Sequence, residues 1–226
     1  MRLLLNDPAT PTTRIVRLAL EGEGFSYRAG QAAALAVERS EPTPYSIASA
    51  PAETARHGWL EFLIKVDGSS RFGARVADLR PGTTVSVGGA TGNLTLPEPP
   101  RPEPLLFIAG GTGIAPMRSM ICEALQLQWP GRLTLVYSAR TPDEFAYLDE
   151  LRILHERGAL DLTLTLTGKA DEWDHARGRT SAVHLSRLIT PDSTCFLCGP
   201  PAMLRDVPDA LASLGLRREK IRTEHW

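Results

Sequence analysis

Five prolines fall within the eight residues Pro97–Pro104, and no other stretch of the 226-residue chain limits its fold as strongly. Proline offers no backbone N–H and holds the residue before it away from helix, so the segment is extended. We read residues 1–98 and 103–226 as two domains, with 97–104 as the linker. Before the linker, Thr13–Leu20, Gln31–Val37, Tyr45–Ser49, Trp59–Val66 and Thr83–Val87 are short runs rich in β-branched, aromatic and aliphatic residues. Gly22, Gly24, Gly30, Pro42, Pro44, Pro51, Gly68 and Pro81-Gly82 separate them, and only Ser70–Leu79 reads as helix. Short strands at this spacing predict a small antiparallel barrel.

After the linker the rhythm becomes strand–helix alternation. Leu105–Ala109, Leu133–Tyr137, Leu160–Leu166, Thr194–Leu197 and Lys220–Thr223 read as five strands. Pro116 opens a helix to about Gln128. Thr141-Pro142-Asp143-Glu144 reads as a capping box before a helix that ends at Gly158. Further helices are expected over Ser181–Leu188 and over Ala202–Leu214, the latter broken at Pro208. Strands alternating with helices predict a parallel sheet covered on both faces.

Composition removes several classes of function. Apolar residues make up 42% of the chain and charged residues 23%, enough to build a core and against wholesale disorder. A net charge of −1 gives no electrostatic footprint for nucleic acid. No apolar run approaches the ~20 residues of a membrane span, and the opening Met1–Asp7 is too short for a secretory signal. Three cysteines, at 122, 195 and 198, cannot frame a disulfide-stapled fold. A soluble, cytoplasmic protein is expected.

Chemistry concentrates in three places. In Phe107–Pro116 a buried strand runs into Gly110-Gly111-Thr112-Gly113 and then a helix start. Such a turn presents backbone N–H groups, and the helix end favours negative charge, as a pyrophosphate site requires. It departs from the usual dinucleotide fingerprint: Pro116 stands where a third glycine is expected. No acid ends the next strand either, which reads Tyr137-Ser138-Ala139-Arg140. In Cys195–Met203, a Cys-x-x-Cys on a strand points its two sulfurs to opposite faces, so a metal or redox pair is disfavoured. Cys195 reads as core and Cys198 as a residue at the strand end, where open α/β sheets bind ligands. The third place is Thr43-Pro44-Tyr45-Ser46, by itself only a strand with a proline at its start.

Together these stretches resemble the ferredoxin–NAD(P)H reductase family of flavoproteins, of the flavodoxin- or oxygenase-reductase type, from about Thr12 to Trp226. The resemblance implies a six-stranded antiparallel flavin-binding barrel followed by a five-stranded parallel-sheet NAD(P)-binding domain. It implies that Tyr45, in the family's Arg-x-Tyr-Ser motif, packs on the isoalloxazine and that Ser46 bonds near its N5. Ile64-Lys65-Val66 would run along the ribityl chain, and Phe72-Gly73-Ala74 would open the helix facing the flavin phosphates. Gly110, Gly111, Thr112, Gly113, Ala115 and Pro116 match the glycine motif, with Thr112 between flavin and nicotinamide. Cys198, Gly199, Pro200 and Met203 match the Cys-Gly-Pro-Pro-x-Met motif, with Cys198 beside the reacting nicotinamide carbon. Ser138, Arg140 and Arg179 would contact the nucleotide, and Trp226 would stack on one flavin face. Ser46, Cys198 and Trp226 are the expected catalytic residues.

Two departures bear on the cofactor. Thr43 replaces the arginine that neutralises the flavin phosphates, and Gly73 replaces a serine or threonine that binds them, so FMN stands open beside FAD. Arg71 or Arg75 would supply the missing charge from the next loop, with backbone N–H groups at the helix start. Arg140 and Arg179 suit a 2′-phosphate, whereas Gly168 replaces an arginine of NADPH users with Lys169 as its one substitute, so the coenzyme stands open too. The implied activity passes hydride from NAD(P)H to flavin and then single electrons to an external ferredoxin or the ferredoxin component of an oxygenase. The chain itself lacks the cysteine spacing of an iron–sulfur cluster. Two other readings fit the same residues: a reductase of free flavin or small oxidants, and a non-catalytic NAD(P)H-sensing subunit. A monomer without metal is expected.

Overall fold

A computed structural model describes residues 1–22, 24–38, 40–66, 71–168 and 172–224. The first half contains β1 (Leu3–Thr10), β2 (Thr13–Ala19), β3 (Ala32–Ala36), β4 (Thr43–Ser46), α1 (Pro51–His57), β5 (Trp59–Lys65), α2 (Arg71–Val76) and β6 (Ser86–Thr91). Its strands form two antiparallel three-stranded sheets, in the orders β1-β2-β5 and β4-β3-β6. Between these sheets only single bridges, Arg2 to Thr84 and Ile47 to Phe62, are made among the described residues. The barrel is therefore not closed by ladder hydrogen bonds. Its interior is filled by Val16, Leu18, Leu35, Ile47, Leu60, Phe62, Ile64 and Phe72.

Strand β5 explains how the two halves meet. Five consecutive residues, Leu60–Ile64, are buried, a pattern expected only where both faces of a strand are covered. Leu60, Phe62 and Ile64 enter the barrel core. The alternate residues Glu61 and Leu63 turn outward, and Leu63 joins the core of the second half.

That second half contains β7 (Leu105–Gly110), α3 (Ile114–Gln126), β8 (Leu133–Ala139), α4 (Leu148–Glu156), β9 (Asp161–Leu166), β10 (Ala176–Arg177), α5 (Ala182–Leu185), β11 (Thr194–Cys198), α6 (Pro201–Ser213) and β12 (Ile221–Glu224). The strands make one parallel sheet in the order β10-β9-β8-β7-β11-β12. Phe107, Leu135, Tyr137 and Phe196 pack on one face together with α3 residues, while Leu106, Ile108, Val136 and Leu197 pack on the other against Leu204, Val207 and Leu211 of α6. The chain runs outward from β7 through β8, β9 and β10, then returns to place β11 on the other side of β7. Ligands bind at the carboxyl ends of strands at such a switch point, here Gly110 and Cys198.

Several expectations are corrected. The parallel sheet has six strands, not five, because two-residue β10 is too short to leave a periodic signal. β1 carries Asn6, Asp7 and Pro8 and so reads as polar, yet it pairs with β2 along its whole length. The last barrel strand lies over Ser86–Thr91 because Gly88-Gly89 sit inside it beside a register shift and do not end it. Helix α1 is an addition to the expected elements: Pro51 occupies its first turn, Glu53 accepts from the Ala50 N–H at 2.8 Å, and Gly58 closes it at φ 72°. The capping box after β8 starts only a 3-10 turn, Pro142–Glu144; the chain breaks at Tyr147 (φ 60°) before α4 begins. Of the helix read over Ser70–Leu79, Arg71–Val76 is present, and residue 70 lies outside the described residues.

Helix α6 runs unbroken through Pro208, since Leu204, Val207 and Leu211 on one stripe are all buried. An interior proline costs a helix about 3 kcal/mol, and its stiffening of the unfolded chain returns about 0.4–1 kcal/mol. Pro208→Ala should therefore raise stability by about 2–2.6 kcal/mol, or roughly 4–10 °C in Tm for a chain of this size. Thermal unfolding by circular dichroism checks this, and an unchanged or lowered Tm would mean that the ring itself packs favourably.

Candidate active site

The glycine turn and the Cys198–Met203 segment form one packed unit. β7 ends at Gly110, a 3-10 turn occupies Gly111–Gly113, and α3 follows directly. A Cβ on Gly113 would lie 2.1 Å from the Cys198 carbonyl oxygen, and one on Gly110 would lie 2.7 Å from Pro200 Cδ. A Cβ on Gly199 would lie 2.8 Å from Met203 Sδ. Gly113 and Gly110 are thus required by the close approach of backbone and proline ring, a reason the sequence did not disclose, while Gly199 meets a methionine side chain that can shift. Gly111 differs: it is exposed, left-handed at φ 55°, and an added Cβ would meet nothing within 4 Å. It leaves the backbone of the turn open on one side. Tyr137 steadies that turn by donating to the Gly111 carbonyl at 3.2 Å while accepting from the Ala146 N–H.

Both halves contribute to the point where the turn opens. Ser46, at the end of β4, donates its hydroxyl to Glu224 Oε2 at 3.3 Å across the junction. Glu224 ends β12 in register with Cys198 of β11. Adjacent strands lie ~4.8 Å apart, so hydroxyl, thiol and carboxylate gather at one spot. All three are largely buried, with exposures of 9% for Ser46, 4% for Cys198 and 8% for Glu224. Burial pushes the Cys198 thiol up to about 12, and the Glu224 charge adds to the effect. Cys198 is therefore a neutral, polarisable side chain at neutral pH. Cys195 lies in the cluster on the other face of the sheet.

Glu224 was missed by reading the sequence, and the signal available was an acid ending the last strand. The barrel side adds Tyr45, half-buried, with its ring centroid 5.7 Å from that of Phe72 at 55°. Phe72 is itself fully buried, so its side chain supports Tyr45 from the barrel core. Ile64 is also a core side chain, whereas Lys65 is exposed and Val66 half-buried at the end of the same strand. Gly73 is buried and Ala74 exposed on α2; Thr43 is half-buried and Pro44 exposed. Arg75 is engaged with Glu38 at 3.1 Å.

On the nucleotide side, Thr112 is half-buried in the turn, and Ala115 and Pro116 are buried in the first turn of α3. Ser138 is buried at the end of β8, in register with Gly110, while Arg140 and Arg179 are exposed. Gly168 donates its N–H to the Arg140 carbonyl, and an added Cβ would lie 2.3 Å from that oxygen. Any side chain there would displace the backbone, so the glycine is dictated by the turn. Lys169, His225 and Trp226 lie outside the described residues. Two concavities of about 290 and 470 Å³ lie elsewhere, at the amino ends of the sheet strands near Leu133, Leu160, Thr194 and Arg222. No described helix is long and apolar enough to cross a membrane.

A barrel half and a parallel-sheet half thus meet at a switch point, where a hydroxyl, a thiol and a carboxylate converge, and comparison with known proteins gives the class as oxidoreductase. The oxidoreductase NAD-binding domain family matches residues 107–209. Over its full length the chain is 30% identical to ferredoxin–NADP reductase B of Sorangium cellulosum, covering 96% of that protein. The Amycolatopsis cytochrome P450 reductase GcoB superposes with a TM-score of 0.88 at 25% identity, over 99% of this chain and 68% of that one. A ferredoxin–NADP reductase from Neisseria gonorrhoeae, solved with FAD and NADP bound, shares the fold with a TM-score of 0.83 at 23% identity, over 99% and 96% of the two chains. The chain belongs to the ferredoxin–NADP reductase family of flavoprotein oxidoreductases.

Two outcomes follow from this geometry. Gly113→Ala should destabilise the protein by about 2 kcal/mol or more, because the added carbon meets a backbone carbonyl that cannot rotate away; urea titration measures the loss, and an unchanged midpoint would contradict the close approach. The second concerns alkali. With an ordinary thiol value of 9.0, the unfolded chain ionises at Cys198 well before the native protein does. The native state then holds the extra proton, so this stability is complete below pH 9 and falls as pH rises towards about 12. The urea midpoint should be level to pH 9 and decline above it, less steeply in Cys198→Ala, and equal slopes in both proteins would contradict the thiol's burial.

Proposed function

We propose that this protein passes hydride from NAD(P)H to a bound FAD and hands electrons singly to an external ferredoxin or oxygenase component. The observation that carries the reading is the Ser46–Glu224 contact, which brings the tyrosine-bearing barrel strand to the carboxyl end of the sheet's switch point. The residues present suit a flavin there: Tyr45 offers a half-exposed ring, Ser46 a hydroxyl, and the Gly111 turn an open backbone flank. FAD would supply the conversion between two-electron and one-electron transfer. Tyr45 would hold the isoalloxazine face, with Phe72 fixing the tyrosine's tilt. Ser46, its proton engaged by Glu224, would meet the reacting edge through its hydroxyl oxygen as an acceptor, and Glu224 would hold that hydroxyl in place. Cys198, neutral through burial, would contact the nicotinamide without competing as a nucleophile, with Thr112, Gly199, Pro200 and Met203 shaping the slot around it. Ser138, Arg140 and Arg179 would take the distal nucleotide, and Trp226 would cover the second flavin face. Residues 1–98 would form the flavin domain and 103–226 the nicotinamide domain. A reductase of free flavin is the second reading, favoured by Thr43 and Gly73 in place of the phosphate-binding residues.

Purification followed by an absorption spectrum and titration with NADH and NADPH separately tests the reading. Flavin retained in about equal amount to protein, and bleached by one coenzyme, supports it; flavin needed in excess and released on reduction supports the second reading. Tyr45→Ala should lower flavin content severalfold, since an aromatic contact of about 0.5–1.5 kcal/mol beyond its area is lost. Ser46→Ala should instead retain flavin and slow its reduction about tenfold or more, measured by stopped flow. Wild-type behaviour of both variants would overturn the assignment.

A further inference from the structure

Arg118 is 7% exposed and touches both halves of the molecule at once. Its Nε donates to Glu150 of α4 at 2.9 Å, within the nicotinamide half. Its Nη1 and Nη2 donate to the two carboxylate oxygens of Glu53 on α1, each at 3.0 Å, and Nη1 also reaches the Ala48 carbonyl at 2.9 Å. Glu61 of β5 stands 4.0 Å away and accepts from Tyr147, over whose ring the guanidinium lies at 5.0 Å. The next residue, Ser119, donates to the Ser49 carbonyl at 2.7 Å. None of these groups is in the candidate site, yet each is tied to it. Ala48 and Ser49 continue the chain from Ser46, and α3 begins at the turn whose Gly113 abuts the Cys198 carbonyl.

From this geometry we infer that Arg118 is a positioning residue that sets the distance between the Tyr45–Ser46 strand and the Cys198 strand end, and with it the rate of hydride transfer. The inference rests on the proposed function for its rate and on the structure alone for its distance. Helix α3 acts as a rigid spacer between the glycine turn at its start and the segment between β4 and α1, which Arg118 and Ser119 grip at the Ala48 and Ser49 carbonyls. The guanidinium is the cation shared by Glu53, Glu61 and Glu150. Without it, Arg17 still faces Glu61 at 2.7 Å, but Glu53 and Glu150 confront each other across the junction without their common counter-ion. Like charges in a half-buried seam repel, so the halves should move apart. Reacting atoms must approach to about 3–3.5 Å, and a misplacement of about 1 Å can cost 100-fold in rate.

The test compares wild type with Arg118→Gln and Arg118→Lys in the full chain. Arg118→Gln should keep its flavin content and bind the coenzyme within about threefold of wild type, yet reduce flavin 10- to 100-fold more slowly at saturating coenzyme. Arg118→Lys, keeping the charge but not the fork, should recover part of that rate. Small-angle X-ray scattering should show a larger radius of gyration for Arg118→Gln alone. A rate within twofold of wild type, or a fall explained by lost flavin or weakened coenzyme binding, overturns the role in rate. Unchanged scattering overturns the role in spacing. A wild-type protein that no coenzyme reduces overturns the proposed function instead, while scattering still decides the spacing. Should Arg118→Gln fail to fold, Glu53→Ala with Ser119→Ala removes the carboxylate fork and the Ser119 bond and leaves the Arg118 bond to the Ala48 carbonyl, with a 3- to 10-fold slowing expected; a rate within twofold of wild type then overturns the role.

Discussion

The site depends on a contact that only glycine permits. Gly113 brings the turn after β7 against the Cys198 carbonyl, and Gly110 and Gly199 bring their neighbours against Pro200 and Met203. Without these approaches β7 and β11 could still pair, because their ladder is made upstream by Leu105–Ala109 and Thr194–Cys198. Their carboxyl ends would splay, however, and the crevice at the switch point would lose its floor. Of the glycines in the turn, only Gly111 has its Cα facing open space.

Once that floor exists, the second requirement is to bring the barrel to it. Two physical devices do this. The outer face of β5 gives Leu63 to the apolar core of the second half, which also takes in Ala29, Ala48, Leu94 and Leu96. This burial is non-directional and holds the halves together without fixing their angle. The angle is fixed by the buried polar set around Arg118 and Ser119, where each donor has a definite acceptor. Burial alone would raise the Glu53 carboxyl, but the Arg118 fork and the Ala50 N–H outweigh it and hold the group below its ordinary value. Removing Arg118 is costly because half-buried Glu53 and Glu150 lose their shared counter-ion, while Glu61 keeps Arg17.

Much of the fold was legible because its signals are local. The buried run Leu105–Gly110, the apolar β8 and β11, and the turn residues between barrel strands obey period and propensity with little tertiary override. The errors share one origin. Strand β1, with its polar residues, and two-residue β10 are strands only because a neighbour supplies their partners. Helix α6 passes through Pro208 because its buried stripe outweighs one missing hydrogen bond. The capping box at Thr141–Glu144 is spent on a 3-10 turn because Phe145 and Ala146 are drawn into the core beside Tyr137 before α4 can start.

The sequence by itself determined the two rhythms on either side of Pro97–Pro104, the glycine turn ending a buried strand, and the divergence of Cys195 and Cys198, since each follows from backbone restriction or from period-two alternation. Tertiary structure alone decided that Ser46, Cys198 and Glu224 share one place. Ser46 and Glu224 are separated by 178 residues and meet only because β12 pairs beside β11 and the barrel docks on α3. It also decided the role of Arg118, one arginine among many in composition. Its meaning lies in carboxylates contributed by three separate elements, and a linear pattern cannot encode a charge balance that exists only after the two halves are packed together.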